Sequence, residues 1–94
     1  MDKIEQLVMT VIKSFVHSPE DVELHSSQET DDKGELTMIN VKVNRDDVGL
    51  CIGEKGATAE AVRRIVGLAG FKETGKRVFV RIDAPKLAKN HFEV

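Results

Sequence analysis

Residues 47–57 read DVGLCIGEKGA, and two glycines in this run, Gly53 and Gly56, stand three positions apart with Glu54 and Lys55 between them. Acidic residues at 46 and 47 favour a short helix through about residue 52, and apolar residues recur at helical spacing over 57–69. Two glycines that join two helices let the backbone turn tightly and approach a ligand without a Cβ in the way. The second helix then points its N–H groups and positive dipole end at the turn. A sugar-phosphate backbone fits such a place, although a plain helix–turn–helix linker has the same pattern.

Upstream of this run, the chain predicts one helix and two strands. Apolar residues at helical spacing over 4–16, with Asp2 and Glu5 placed for a capping box, predict a first helix that stops at the His-Ser-Pro sequence of residues 17–19. The alternation around residues 22–24 predicts a short strand. Residues 28–35 then read as a hairpin turn, and residues 36–43 as a second strand.

Downstream, the second helix of the glycine run is expected to span residues 57–69, with Ile65 facing the core and Gly70 as its C-cap. Residues 71–76 then form a loop, and residues 77–82 alternate as a last strand. The order helix, strand, strand, helix, helix, strand indicates an α+β fold, a three-stranded sheet with helices packed on one face. Residues 84–94 follow as a C-terminal tail.

The composition favours a soluble single domain. The chain has 94 residues, of which 40% are hydrophobic and 32% are charged. No apolar run approaches the ~20 residues that span a bilayer. The single cysteine, Cys51, is expected to pack as a small hydrophobe and weakly favours a cytoplasmic location. The three histidines show neither metal-ligand spacing nor a catalytic partner, so we expect no enzyme activity, catalytic residue, metal site, cofactor or small-molecule substrate.

Charge is unevenly distributed along the chain. The formal net charge is −2, which argues against indiscriminate binding of nucleic acid. Residues 17–35 carry seven acids against one base, whereas residues 72–94 carry six bases against three acids. The acidic segment is interpreted as a solvated surface that keeps the protein soluble.

Other glycine patterns are weaker candidates for a phosphate site. The frame that ends at Gly56 lacks the first glycine of a dinucleotide fingerprint and does not follow a strand. Residues 70–76 are spaced like a nucleotide-binding loop, but Arg77 stands where a hydroxyl side chain is needed. Gly67 and Gly70 repeat the spacing at the predicted end of a helix, where glycine needs no function to explain it.

The run from Asp47 to Val66 closely resembles the core motif of the KH domain, an I-G-x-x-G loop between two helices that are flanked by strands. The helix and strand before this motif are similar to the bacterial arrangement, the type II KH domain. With Ser-Pro-Glu-Asp-Val at 18–22, the chain is similar to small single-KH proteins of the bacterial KhpA family. The resemblance covers residues 1–83 and implies a single type II KH domain there, with residues 84–94 outside it.

The resemblance implies a non-enzymatic protein that holds about four nucleotides of single-stranded RNA in a groove clamped by the loop. Gly53 and Gly56 would let the phosphates come close, and Lys55 would supply the charge of the loop. Gly49 and Ile52 would shape the helix beneath the bases. The remaining candidate RNA-binding residues are Glu54, Arg63, Arg64, Lys72 and Lys76, the last two in the predicted loop on the other wall.

Two positions depart from the family pattern and predict weak RNA binding. Glu54 places an acid beside Lys55, and Leu50 stands where a base is common. Since few phosphates would be neutralised, we expect micromolar or weaker affinity with a shallow dependence on salt. The role implied is that of an RNA chaperone or a post-transcriptional regulator.

Two alternatives remain open on the sequence. Single-stranded DNA could use the same groove, because contacts to the 2′-hydroxyl cannot be read from the residues. The domain could also be a protein-interaction module with little RNA affinity, which pairs with itself or with a larger multidomain KH-containing RNA-binding protein. Glu54, Leu50 and the net negative charge motivate this second alternative.

Overall fold

The computed structural model describes residues 2–83, which form an α+β fold in the predicted order of elements. The helices and strands are α1 (Lys3–Lys13), β1 (Glu23–Asp31), β2 (Gly34–Lys42), α2 (Val48–Ile52), α3 (Ala57–Thr74) and β3 (Arg77–Asp83). Short 3-10 turns at Pro19–Asp21, Arg45–Asp47 and Glu54–Gly56 connect them. The predicted tail, residues 84–94, lies outside the described residues.

The first helix begins where the sequence predicts. The carboxylate of Asp2 accepts a hydrogen bond from the backbone N–H of Glu5, whose side chain accepts one from the N–H of Asp2, so the capping box is confirmed. The helix ends at Lys13, before the predicted stop, and Ser14 follows as its C-cap, with its hydroxyl donating to the carbonyl of Val11. Val16, in the turn that follows the helix, is buried in the core.

The hairpin is longer than the sequence predicts, and the turn predicted over residues 28–35 is wrong. Strands β1 and β2 are antiparallel and paired as far as Asp31 and Gly34, which leaves only two residues in the turn. The side chain of Asp31 accepts a hydrogen bond from the N–H of Lys33, and Gly34 adopts a φ of 114°. The second half of β1 is polar on both faces, so it lacks the alternation that marks a strand in a sequence.

The sheet has the order β1-β2-β3, and the helices cover one face of it, as predicted. Strand β3 runs parallel to β2, with Ile39 opposite Val80. The core lies between these strands and the helices, where Ile39, Val41, Val80, Val8, Ile12 and Val66 are almost fully buried. Ile65 was expected in this core but is 57% exposed, because the helix turns it away from the sheet.

Helix α3 continues past its predicted end. It runs to Thr74 and is capped by Gly75, which has a left-handed φ of 72°, so the prediction of Gly70 as a cap and of residues 71–76 as a loop is wrong. Gly70 instead lies inside the helix and is buried against β3. A Cβ built on it would lie 2.4 Å from Cγ2 of Val78. The close approach of α3 to Val78 explains why residue 70 is a glycine. Helix propensity alone would place this glycine at the end of a helix.

A single buried carboxylate joins the segment after α1 to the start of α2. Asp47 is 1% exposed, and its Oδ1 and Oδ2 accept hydrogen bonds from the backbone N–H groups of His17 and Ser18 at 3.1 and 2.9 Å. The same residue is the N-cap of α2. Asp47 therefore lies at the start of a helix, as predicted. It also binds the segment after α1, which the sequence alone does not indicate.

Among residues 2–83, none of the helices is both long enough and apolar enough to cross a membrane.

Replacement of Asp47 tests this link. In Asp47→Ala, two backbone N–H groups lose their acceptors, so the free energy of unfolding should fall by about 1–3 kcal/mol. The neighbouring Asp46 has an exposed side chain, so Asp46→Ala should change stability by less than about 0.5 kcal/mol. Urea denaturation followed by circular dichroism measures both. Equal effects of the two variants would contradict the role assigned to Asp47.

The two glycines inside α3 predict opposite responses to the same substitution. Gly70→Ala should lower the free energy of unfolding by about 1–3 kcal/mol, because the new methyl group overlaps Val78. Gly67→Ala should raise it by about 0.5–1 kcal/mol, since its Cβ would meet only the carbonyl oxygen of Val78 at 3.7 Å and alanine favours the helix. Urea denaturation of the two variants measures both free energies of unfolding. If both variants change the free energy of unfolding in the same direction, the packing described for α3 is wrong.

Candidate functional site

The predicted loop between α2 and α3 has a backbone that favours glycine at both ends. Gly53 adopts φ 77° and ψ 172°, and Gly56 adopts φ 80° and ψ 11°. Between them Lys55 also has a positive φ, 56°, which is uncommon for a residue with a side chain. The chain therefore turns between the two helices within a few residues, as the pair of glycines predicts.

The two glycines have different surroundings. A Cβ on Gly53 would lie 2.7 Å from the backbone nitrogen of Thr58 and closer still to its side chain, so this position has no room for another residue. A Cβ on Gly56 would meet no atom within 4 Å. Gly53 is thus needed for the turn itself, whereas Gly56 leaves an open approach to the backbone at the start of α3.

The start of α3 faces this open space. Its N-cap is Gly56, and no side chain among the described residues caps it. Since α3 has 18 residues, its first N–H groups and its dipole present partial positive charge at the loop. A cleft of about 460 Å³ lies there, and six of the predicted site residues line it: Gly49, Ile52, Gly53, Glu54, Lys55 and Gly56.

The two charged residues of the loop are both exposed and border the same cleft. Neither Glu54 nor Lys55 forms a salt bridge with another side chain of residues 2–83. The structure thus leaves an acid and a base side by side at the cleft, and an anion there meets attraction and repulsion from adjacent residues.

The other four predicted site residues lie outside the lining of this cleft. The Nε of Arg63 donates to the carbonyl of Val80, and its guanidinium carbon lies 5.1 Å from the centre of the Phe79 ring. Arg64 forms an exposed pair with Glu60, at 3.2 Å. Lys72 is exposed in the last turn of α3. Nζ of Lys76 lies 3.6 Å from Oε2 of Glu35.

Cys51 packs as a buried hydrophobe, as predicted, and lies directly before the loop. It is fully buried, and that burial, followed by the nearby charge of Asp47, raises the pKa of its thiol to about 11. The thiol is therefore protonated at neutral pH and is a poor nucleophile. Within the described part of the chain, no three histidine, cysteine or acidic side chains are grouped so that they could hold a metal ion.

The apolar side chains that α3 exposes were missed by the sequence reasoning. Ile65 and Leu68 are 57% and 76% exposed on α3, and Phe71 and Phe79 border a cleft at the edge of β3. Apolar residues at helical spacing are the same signal whether they face a core or solvent, so the sequence offered no means to separate the two.

Comparison with protein families gives a match over most of the chain. The family model for the KhpA/KhpB KH domain matches residues 5–82. The chain is 38% identical over 80 residues to the RNA-binding protein KhpA of Clostridium perfringens, which covers 84% of this chain and 99% of that protein. It is 31% identical over 80 residues to the RNA-binding protein KhpA of Bacillus subtilis, covering 85% of this chain and 94% of that protein.

Among solved structures, the fold is similar to part of Era from Aquifex aeolicus, in a crystal structure with GDP and aluminium fluoride bound. The TM-score is 0.63 at 13% sequence identity. The similar region covers 86% of this chain but only 28% of the Era chain. At this level of identity the likeness concerns the fold.

Proposed function

Because this chain belongs to the KhpA/KhpB family of KH domains, we propose that it is a non-enzymatic, cytoplasmic RNA-binding protein that holds single-stranded RNA at the loop of residues 53–56. The names of its relatives, RNA-binding protein KhpA, support RNA as the ligand. The observation that carries the site is the cleft beside the loop, where an uncapped helix start meets two glycines with positive φ.

In this proposal the phosphate backbone of the RNA lies against Gly56 and the first turn of α3. The open space at Gly56 lets a phosphate reach the N–H groups there, and the helix dipole favours its negative charge. Lys55 adds a full positive charge from the loop. The bases then face the surface of α2, where Gly49 leaves room and Ile52 supplies apolar contact.

The electrostatics of the loop set the strength of this binding. Glu54 opposes Lys55, and the chain as a whole is negative, so few counterions are released on binding. The dissociation constant is therefore expected to be on the order of micromolar or weaker at physiological salt. Weak and sequence-tolerant binding suits an RNA chaperone or a post-transcriptional regulator, which is the role we propose.

Charge changes in the loop test the site. Lys55→Asp should weaken the binding of a fluorescently labelled single-stranded RNA about tenfold near 0.15 M salt, because attraction to a phosphate is replaced by repulsion. The slope of log affinity against log salt should become shallower by about 0.7 for each phosphate that is no longer neutralised. Glu54→Lys should change affinity and slope in the opposite direction. Fluorescence anisotropy at several salt concentrations measures the affinities and the slopes.

The matched control is Lys33→Asp, the same charge change at the turn of the β1–β2 hairpin. If Lys33→Asp weakens binding as much as Lys55→Asp, the effect is one of net charge and the loop is not the site. Competition with a DNA oligomer of the same sequence decides between RNA and single-stranded DNA as the preferred ligand.

A second candidate function is pairing through α3. Ile65 and Leu68 are more than half exposed and lie one turn apart on this helix, where exposed apolar residues are unfavourable in a monomer. We propose this surface as the contact with a second copy or with a larger multidomain KH-containing RNA-binding protein. The two functions are compatible, because a dimer presents two weak RNA sites and gains avidity.

Leu68→Glu tests this pairing surface. Its side chain is 76% exposed, so the substitution should leave the fold intact and shift the protein towards monomer in sedimentation equilibrium at high concentration. Phe71→Glu is the control, since Phe71 is also a large exposed apolar residue of α3 but borders the cleft at β3. A wild-type protein that stays monomeric throughout would exclude self-pairing through this surface.

A further inference from the structure

A second cleft, larger than the one at the loop, opens where α3 passes the outer edge of β3. Its volume is about 510 Å³, and its apolar lining consists of Leu36, Met38, Gly67, Phe71, Val78 and Phe79. Leu36 and Met38 lie on the sheet face opposite the helices, since they alternate with Ile39 and Val41 of the core. The cleft shares no lining residue with the one at the loop of residues 53–56.

The walls of this cleft are exposed aromatic rings. Phe71 is 60% exposed and Phe79 is 43% exposed, and both rings border the same opening. The guanidinium of Arg63 lies over the ring of Phe79 and fixes one wall. Two large apolar side chains beside an apolar floor form a patch of the kind that usually has an occupant.

The polar rim favours an occupant with positive charge. Glu29 and Asp31 border the cleft. The hydrogen bonds of Asp31 with Arg77 and with the N–H of Lys33 lower the pKa of its carboxyl to about 2, so it is ionised at neutral pH. The same pairing engages Arg77, whose Nη1 lies 3.1 Å from Oδ2 of Asp31. Because Asp31 and Arg77 neutralise each other, Glu29 is the rim charge that has no ion pair among the described residues, and it makes this cleft a poor site for phosphates.

We propose that the occupant of this cleft is the chain's own C-terminal segment, residues 84–94. This segment, APKLAKNHFEV, combines apolar Leu87 and Phe92 with Lys86 and Lys89, and it carries two lysines against one glutamate. Its apolar residues complement the floor and walls, and its lysines complement the carboxylate of Glu29. The inference does not depend on RNA binding.

The length and the position of the segment permit this contact. Strand β3 ends at Asp83, and Phe79 lies four residues back along the same strand, about 13 Å away. Eleven residues can span up to about 36 Å, which is enough to reverse direction and reach the cleft. The family model ends at residue 82, and the relative from Clostridium perfringens is matched over 99% of its own length while covering 84% of this chain. The segment therefore lies outside the part of the chain that matches the family.

Met38 provides a probe inside the cleft, and Met9, on α1, provides an internal control. The test uses the full chain with ¹³C-labelled methionine methyl groups, observed by NMR. The double variant Leu87→Ser, Phe92→Ser should shift the Met38 methyl signal, because an aromatic ring and its apolar neighbour no longer lie beside that methyl group. It should leave the Met9 signal in place. The polar substitution Asn90→Ser should move neither signal.

A reciprocal measurement examines the segment itself. In the wild type, amide hydrogens within residues 84–94 should exchange more slowly than in Phe71→Ser, where one wall of the cleft is removed. A Met38 signal that is the same in the wild type and the double variant would overturn the proposal, as would equal exchange in the wild type and Phe71→Ser.

Two further outcomes would assign the cleft to another occupant and also overturn the proposal. If the Met38 signal of the wild type moves on tenfold dilution, the cleft is filled by a second copy. If it moves on addition of a single-stranded RNA oligomer while the double variant behaves as the wild type does, the cleft binds RNA.

Discussion

The buried carboxylate of Asp47 is the contact on which the arrangement of this domain depends. Its two oxygens accept hydrogen bonds from consecutive backbone N–H groups, at His17 and Ser18, and the residue itself begins α2. One side chain therefore fixes the segment that leaves α1 against the helix that leads into the glycine loop. Burial of a polar side chain costs free energy unless the side chain is hydrogen-bonded. Asp47 is 1% exposed, so loss of its hydrogen bonds would lower the stability of the domain. The five residues of α2 connect this contact to the loop, so the contact orients the loop.

Helix α3 lies next to both clefts and carries exposed apolar residues. Its N-cap, Gly56, lines the cleft at the loop, and its far half packs against β3 where Gly70 meets Val78. Because this side of α3 packs closely on β3, the other sides of the helix remain exposed. One side presents Ile65 and Leu68 to solvent, and another presents Phe71 beside Phe79. A helix of 18 residues on a three-stranded sheet has more apolar surface than the sheet can cover, so part of that surface remains exposed to solvent.

Electrostatics distinguish these surfaces more clearly than shape does. The cleft at the loop of residues 53–56 combines a helix start with Lys55 and is opposed by Glu54, whereas the cleft beside β3 is bordered by Glu29 and by the ion pair of Asp31 with Arg77. The two clefts therefore present different charges to a ligand. The net charge of −2 conceals this division, since the acids are concentrated in residues 17–35 and the bases towards the C-terminus.

The sequence alone determined the features that depend on local physics. The capping box of α1, the order of the elements, the two glycines with positive φ and the burial of Cys51 all follow from residues near one another in the chain. Only the tertiary structure decided that β1 extends to Asp31, that α3 continues through Gly70 to Thr74, and that Ile65 faces solvent. These features depend on partners distant in sequence. Val78 makes a glycine useful inside a helix, Arg77 holds the end of a polar strand, and the sheet is too narrow to cover every apolar residue of α3. Local propensity contains no term for such partners, and for that reason it misplaced these boundaries.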